Sequence, residues 1–336
     1  MKVAVIGAGS WGTALSQTLG AKGCNVSLWA RKPEVAQSIN EAHVNPRYLS
    51  DSVLSENIVA TTSYQDACAY AKAVVVVTPS SVMRSVAQEL DSCVDAETPV
   101  ILCCKGVEQD SGNLPCEIFA QEMGNPQRFA VLSGPNHAEE VIKGIPAGTV
   151  IASQSEETAR FFQELFATDS FRTYVSDDVT GVELCAAFKN VIAIAVGIAY
   201  GSGFGDNTAA LLLTRGLAEM SRLVSACGGK PITCMGLAGT GDLVATCMSK
   251  HSRNRTFGES VAAGMTLGQY QEQTHMVVEG ALACKTLAAL SERYQVELPI
   301  TDLVRGIVWE GVEVGRAASL LNQRPLKQEF YGIKGE

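Results

Sequence analysis

The chain has 336 residues, 46% of them hydrophobic and 18% charged, with a formal net charge of −9. That composition is too apolar for a disordered chain, and its acidity excludes a general electrostatic footprint for nucleic acid, so an anionic ligand has to be met by a local cluster of cations. The length accommodates two domains with a sizeable core in each, and the longest apolar stretch, residues 191–200, is too short to span a bilayer.

The first predicted element is a strand that begins at the third residue and runs into Gly7-Ala8-Gly9-Ser10-Trp11-Gly12. In this pattern Gly7 permits the tight turn, Gly9 lets the backbone approach a pyrophosphate, and Gly12 lets the following helix pack closely on the strand. A helix over residues 13–19 and a strand over 26–29 complete the first half of a βαβ unit, with the helix N-terminus facing the anion. A strand so near the first residue leaves no room for a leader, and a cytoplasmic location is expected. The second strand is followed by Ala30-Arg31-Lys32 instead of the acidic residue usual for NAD. Arg31 suits a 2′-phosphate and hence NADP, whereas the same arginine stacked on adenine serves NAD.

Apolar, β-branched runs recur at 58–60, 73–78, 100–104, 129–132, 148–152 and 171–175, with helical intervals between them. The unbroken apolar run at 73–77 is expected of a central strand covered on both faces. Strand and helix in alternation predict a parallel, doubly wound α/β sheet of the Rossmann type, with its ligand crevice beyond the carboxyl ends of the strands. Gly7, Thr78-Pro79-Ser80, Lys105-Gly106 and Ser133-Gly134-Pro135-Asn136 all fall there. The eleven cysteines include no Cys-x-x-Cys, and no His-x-x-x-His accompanies them. They are expected to be reduced, mostly buried, and free of metal. Cys103-Cys104 ends a strand and is expected to serve packing.

From about Asp178 the texture changes to alanine-rich and leucine-rich stretches, and helices are predicted at 182–200, 207–226, 278–294 and 300–309. The expected division is a dinucleotide-binding domain over 1–177 and an all-helical substrate domain over 178–336, with Asp177-Asp178 suited to cap the first helix. Between Glu183 and Asp206 the only charged side chain is Lys189. An apolar setting lowers a lysine's pKa and lets it exchange protons near neutrality; the other reading is a packed stem with its head in water. Asn190 beside it suits either a substrate oxygen or helix packing.

Residues 236–243, Gly-Leu-Ala-Gly-Thr-Gly-Asp-Leu, carry too many glycines for solvent exposure to explain, and they imply backbone brought close to a ligand or another segment. Asp242 then either fixes the lysine ammonium or caps the helix beginning near Leu243, and Thr246 shares its face. His251-Ser252-Arg253-Asn254-Arg255 gathers two guanidiniums, suited to a phosphate or carboxylate unless the run is simply a solvated face.

Taken together, Gly-Ala-Gly-Ser-Trp-Gly-Thr-Ala at 7–14, Cys-Lys-Gly at 104–106, Ser-Gly-Pro-Asn at 133–136, Phe-Lys-Asn at 188–190, Gly-Thr-Gly-Asp-Leu at 239–243 and Ser-Arg-Asn at 252–254 resemble the bacterial NAD(P)-dependent glycerol-3-phosphate dehydrogenases. The resemblance runs in order from residue 1 to about 320. It implies a helical second half of the 6-phosphogluconate dehydrogenase C-terminal type, and reversible reduction of dihydroxyacetone phosphate to sn-glycerol 3-phosphate for phospholipid synthesis. It further implies that Ser10, Trp11 and Arg31 contact the dinucleotide, with Ala138, Val277 and Glu279 nearer its nicotinamide end. Lys105 and Arg253 would touch both ligands, Gly134 and Asn136 line the substrate pocket, Lys189 exchange the proton, and Asn190, Asp242, Ser252 and Asn254 join Lys105 and Arg253 around the substrate. Asn136 departs from the small hydroxyl residue of many relatives. The rival readings are a 6-phosphogluconate or β-hydroxyacid dehydrogenase and a nucleotide-sensing regulator without catalysis. Partners beyond the small substrate are not expected, apart from a homodimer as the commonest default.

Overall fold

The computed structural model describes all residues except 251, 275–276, 324, 330 and 333–336, with the backbone alone at 318 and 320–322. The chain divides into two compact units, Met1–Cys104 with Leu114–Val179, and Lys105–Asn113 with Thr180–Glu336.

The first unit comprises β1 (Lys2–Ile6), α1 (Ser10–Ala21), β2 (Asn25–Trp29), α2 (Pro33–Ala42), β3 (Ile58–Thr61), α3 (Tyr64–Cys68), β4 (Ala73–Val76), α4 (Met83–Asp91), β5 (Val100–Leu102), α5 (Pro115–Met123), β6 (Phe129–Ser133), α6 (Ala138–Val141), β7 (Ala147–Ser153), α7 (Glu156–Phe166) and β8 (Phe171–Ser176). The strands form one sheet in the order β3-β2-β1-β4-β5-β6-β7-β8. β1 lies between β2 and β4, both parallel to it, with Val3 opposite Val26 on one side and Ala73 on the other. Successive side chains of β1 enter different cores. Val3 and Val5 join Leu15, Leu19, Phe162 and Phe166 on one face, and Ala4 and Ile6 join Met83, Leu90 and Phe119 on the other. Burial on both faces is why β4 is apolar at every position.

Strand and helix alternation predicts a parallel sheet throughout, but one pair departs from it. β7 runs antiparallel to β6, with Ser133 opposite Val150 and Ala130 opposite Ser153, and β8 then follows β7 in parallel. The only helix between β6 and β7 is the four-residue α6, which rises roughly 6 Å and cannot carry the chain back across the sheet. The chain turns over instead, so that the start of β7 lies beside the carboxyl end of β6.

The second unit is helical, with α8 (Val179–Gly201), α9 (Asp206–Ala226), α10 (Asp242–Met248), α11 (Arg253–Ala262), α12 (Leu267–Thr274), α13 (Glu279–Tyr294), α14 (Pro299–Glu310) and α15 (Val314–Asn322). The helices predicted at 182–200, 207–226, 278–294 and 300–309 coincide with α8, α9, α13 and α14. α11, α12 and α15 fall where no helix is read from the apolar pattern, and α12 buries only Tyr270. α8 starts directly after Asp178 and is longer than read from the sequence. By length and composition it suffices to cross a membrane, contrary to the sequence estimate, but its most apolar window is wholly buried within the protein. Most of the eleven cysteines are buried.

Two glycines let α8 and α11 cross with their backbones in contact. A Cβ on Gly197 would lie 2.1 Å from the Arg255 carbonyl oxygen, and one on Gly258 would lie 2.2 Å from that of Ile194. Both neighbours are backbone, so neither can step aside. Gly197→Ala is therefore expected to destabilise the protein by about 1–3 kcal/mol, read as a lower denaturant midpoint. Gly268→Ala, on a helix with open space around the new methyl, is expected to leave the midpoint unchanged or raise it.

Candidate active site

The carboxyl edge of the parallel strands in the first unit holds the glycine turn. Gly7 sits at φ 122°, and a Cβ there would lie 2.7 Å from the Val77 carbonyl oxygen; on Gly12 it would lie 1.8 Å from that of Gly7. Beside Gly9 there is open space for 4 Å, where a ligand can approach the backbone. No side chain caps α1 at Gly9, which leaves its first N–H groups for an anion. Among the described residues seven buried polar atoms of this unit have no hydrogen-bond partner, and four of them, Trp11 Nε1, Thr78 Oγ1, Ser133 Oγ and Asn136 Oδ1, fall along this edge. Buried polar groups are normally satisfied. Orphans on the loops and strand ends named from the sequence fit a dinucleotide lying over this edge.

Trp11 packs edge-on against Phe171, with ring centroids 6.3 Å apart, so its indole is fixed by the core. Gly134 lies against β7, where a Cβ would be 2.8 Å from the Gly148 carbonyl oxygen, and Asn136 donates to that same oxygen at 3.0 Å. Ala138 is buried at the start of α6. Arg31 is exposed in the bend after β2. Nearby, Lys32 and Arg47 share the Glu34 carboxylate at 3.9 and 3.8 Å. The sequence reading passes over Arg47 and over Asn45, which is fully buried. Asn45 donates to the Ala8 carbonyl and the Thr13 hydroxyl, and accepts from the backbone N–H groups of Arg47 and Tyr48, tying their loop to the glycine turn.

In the second unit the predicted residues converge on one carboxylate. Lys105 Nζ meets Asp242 Oδ2 at 2.8 Å, Lys189 Nζ donates to Asp242 Oδ1, and Lys189 also donates to the Thr246 hydroxyl at 2.9 Å. Thr246 in turn donates to Asp242 Oδ1 at 3.3 Å. The glycine segment makes this possible. Residues Leu237–Gly241 wind into a wide helical turn, closed by Gly241 N–H on the Gly236 carbonyl at 3.1 Å, and Gly239 presses so close to Cys234 that a Cβ would lie 2.1 Å from its carbonyl oxygen. Asp242 does not cap the helix as one reading allowed. It is the first residue of α10, Gly241 holds the cap position, and the carboxylate is spent on the two ammoniums.

Burial pushes Lys189 down to about 7, assisted by the neighbouring Lys105 ammonium and opposed by Asp242. Burial alone would raise Asp242, but Lys105 and Lys189 overcome it and hold the carboxyl below its ordinary value. Two ammoniums on one carboxylate leave one positive charge in excess. Such a cluster can give up a proton from its most buried member, or accept an anion.

The remaining candidates divide. Asn190 and Asn254 are both buried; Asn254 donates to Asn190 Oδ1 at 3.0 Å and accepts from Gly280 N–H at 2.9 Å, which ties α8, α11 and the start of α13 together. Ser252 caps α11 by accepting from Arg255 N–H at 3.3 Å. Arg253 is exposed at the first position of that helix. Arg255 belongs to packing, since it bonds Glu259 and the Met248 carbonyl and stacks on Tyr200. Val277 is exposed and Glu279 opens α13. His251 lies outside the described residues.

Residues 2–159 match the family model described as the NAD-dependent glycerol-3-phosphate dehydrogenase N-terminus, and residues 178–319 match that of the C-terminus. Glycerol-3-phosphate dehydrogenase [NAD(P)+] of Pelotomaculum thermopropionicum is 44% identical over 331 residues, covering 98% of this chain and 95% of that one. The enzyme of the same name from Enterococcus faecalis is 42% identical, covering 98% and 97%. The crystal structure of glycerol-3-phosphate dehydrogenase from Coxiella burnetii superposes with a TM-score of 0.92 at 36% identity, covering 96% of this chain and 99% of that one. With both halves of the chain matched in order, this protein belongs to the NAD-dependent glycerol-3-phosphate dehydrogenase family.

Proposed function

We propose that this protein reversibly reduces dihydroxyacetone phosphate to sn-glycerol 3-phosphate with NADPH or NADH, and so supplies the backbone of glycerophospholipids. The observation that carries the reading is the cluster of buried Lys189 and Asp242 with half-buried Lys105, and with Thr246 on Lys189. When bound, the nicotinamide cofactor supplies the hydride to the substrate's central carbon, or accepts it in reverse. In the first unit, Gly7, Gly9, Ser10, Trp11 and Gly12 hold its pyrophosphate, Arg31 its adenosine end, and Ala138 its nicotinamide end, with Gly134 and Asn136 toward the substrate. In the second, Val277 and Glu279 attend the nicotinamide.

Lys189 gives a proton to the central oxygen during reduction and takes it back during oxidation. Asp242 fixes the lysine head, and Lys105 and an Asn190 N–H stabilise charge developing on that oxygen. At the start of α11, Arg253 and the open N–H groups of the first turn hold the phosphate, with Ser252 and Asn254 setting that turn. The phosphate's binding free energy then helps position the reacting carbon. The reading carries with it a cytoplasmic location and a homodimeric assembly.

Lys189→Ala is expected to lower kcat by about 100-fold to 10,000-fold while cofactor binding, followed by nicotinamide fluorescence, stays intact. A Lys189 titrating near 7 is charged below that pH and neutral above it. Reduction, which needs the acid, is expected to decline as pH rises through about 7, and oxidation, which needs the base, to decline as pH falls through it; matched kcat/KM profiles in the two directions check the sign. Arg31→Ala is expected to weaken NADPH by roughly tenfold or more and NADH far less, and equal losses in titrations with the two cofactors would defeat the 2′-phosphate assignment.

A further inference from the structure

Near the end of α9, only 5% of Arg222 is exposed. Its Nη2 donates to the Glu297 carbonyl at 3.0 Å, while Nε and Nη1 have no hydrogen-bond partner among the described residues. The carboxylate of Glu219, less than one turn away, is committed elsewhere. Its oxygens accept from Ile300 N–H at 2.7 Å and from Thr301 N–H and hydroxyl at 3.3 and 3.2 Å, at the start of α14. Burial pushes Glu219 up to about 7, so the charge it offers the guanidinium is weakened at neutral pH.

Arg222 lines a half-open pocket of about 380 Å³ with Ser225, Gln295, Glu297, Lys327 and Tyr331. That volume is in the range of small-ligand pockets. Lys327 Nζ stands 4.3 Å from the Tyr331 ring centroid and Arg222 Cζ 4.5 Å from it, so two cations are gathered at one ring. Glu297 pairs with Lys327 at 2.6 Å and neutralises one of them. The other is a buried guanidinium with two unsatisfied nitrogens, an arrangement that an oxyanion completes and that burial otherwise penalises.

We propose that this cavity is a second anion site, which takes a small phosphate ester with Arg222 and Lys327 on the phosphate and the Ser225 hydroxyl as a further donor. Arg222 and Ser225 stand three residues apart on α9 and Lys327 belongs to the chain after α15, so donors from two segments border the pocket, and the volume leaves room for a small organic group. None of these residues belongs to the reaction proposed above.

The test is isothermal titration of inorganic phosphate and of methyl phosphate into the Arg253→Ala protein saturated with NADPH, so that the dinucleotide phosphate sites are filled and the proposed substrate-phosphate contact is removed. The expected result is one binding event, with methyl phosphate at least as tight as inorganic phosphate and acetate much weaker. Adding Arg222→Gln is expected to weaken it by roughly tenfold to a hundredfold, and adding Lys327→Gln by about threefold to tenfold. Circular dichroism shows whether the Arg222 variant folds; if it does not, Lys327→Gln, on the more exposed partner, decides alone. No binding in the Arg253→Ala protein, binding indifferent to the cavity variants, or acetate binding as well as phosphate would each overturn the proposal. Because heat of binding is read and not turnover, the outcome is independent of whether the proposed reaction is correct.

Discussion

The second unit is organised around the burial of Asp242 between two ammoniums. Removing one partner from a buried ion pair costs about 3–5 kcal/mol, because the other charge is left without compensation. Here the arithmetic is uneven, with two cations on one anion, and Thr246 shares both Lys189 and the carboxylate. The cluster is thus held together by attraction while carrying a standing surplus of positive charge. Burial, assisted by that surplus, makes Lys189 the easiest ammonium to deprotonate, and an anion would relieve the cluster where a neutral molecule would not.

Keeping these charges buried requires backbone, not side chains, to fill the space around them. Gly239 lets the chain close against Cys234 so that Asp242 emerges on a wide turn, and Gly197 and Gly258 let α8 and α11 cross in contact, fixing the helix that carries Lys189. The glycine turn of the first unit follows the same rule for a different purpose. Gly7 and Gly12 are excluded from bearing a Cβ by Val77 and by Gly7 itself, whereas the space beside Gly9 is open. Close contact and open approach are thus divided among three glycines of one motif.

Much of this is legible in the residues. The apolar run of β4 announces a central strand, Lys189 stands out as a lone charge in an apolar helix, and the glycines around Asp242 mark a close approach. The reversal at β7 is not legible, because it depends on how far a four-residue helix reaches and not on any strand pattern. Nor is the part played by Asn254, whose bonds to Asn190 and Gly280 join elements far apart in sequence. The helices α11 and α12 escape because they rest on few buried residues. Asn45 shows the same limit on a smaller scale, since nothing in a single asparagine foretells that all its hydrogen-bonding capacity will be used to fasten a loop.

Lys105 has a history in the chain that the other members of its cluster lack. It follows directly from the strand region of the first unit, yet residues Lys105–Asn113 group with the helical unit before the chain resumes the first unit at Leu114. The covalent chain therefore passes between the units three times, not once. A cut near residue 178, where the composition changes, would look like a clean separation of two modules, but the helical piece so produced would have Asp242 and Lys189 without the second ammonium. During synthesis on the ribosome the same ordering applies: Lys105 is made long before the carboxylate it pairs with, so this part of the helical unit must wait for most of the remaining chain before its charge is matched.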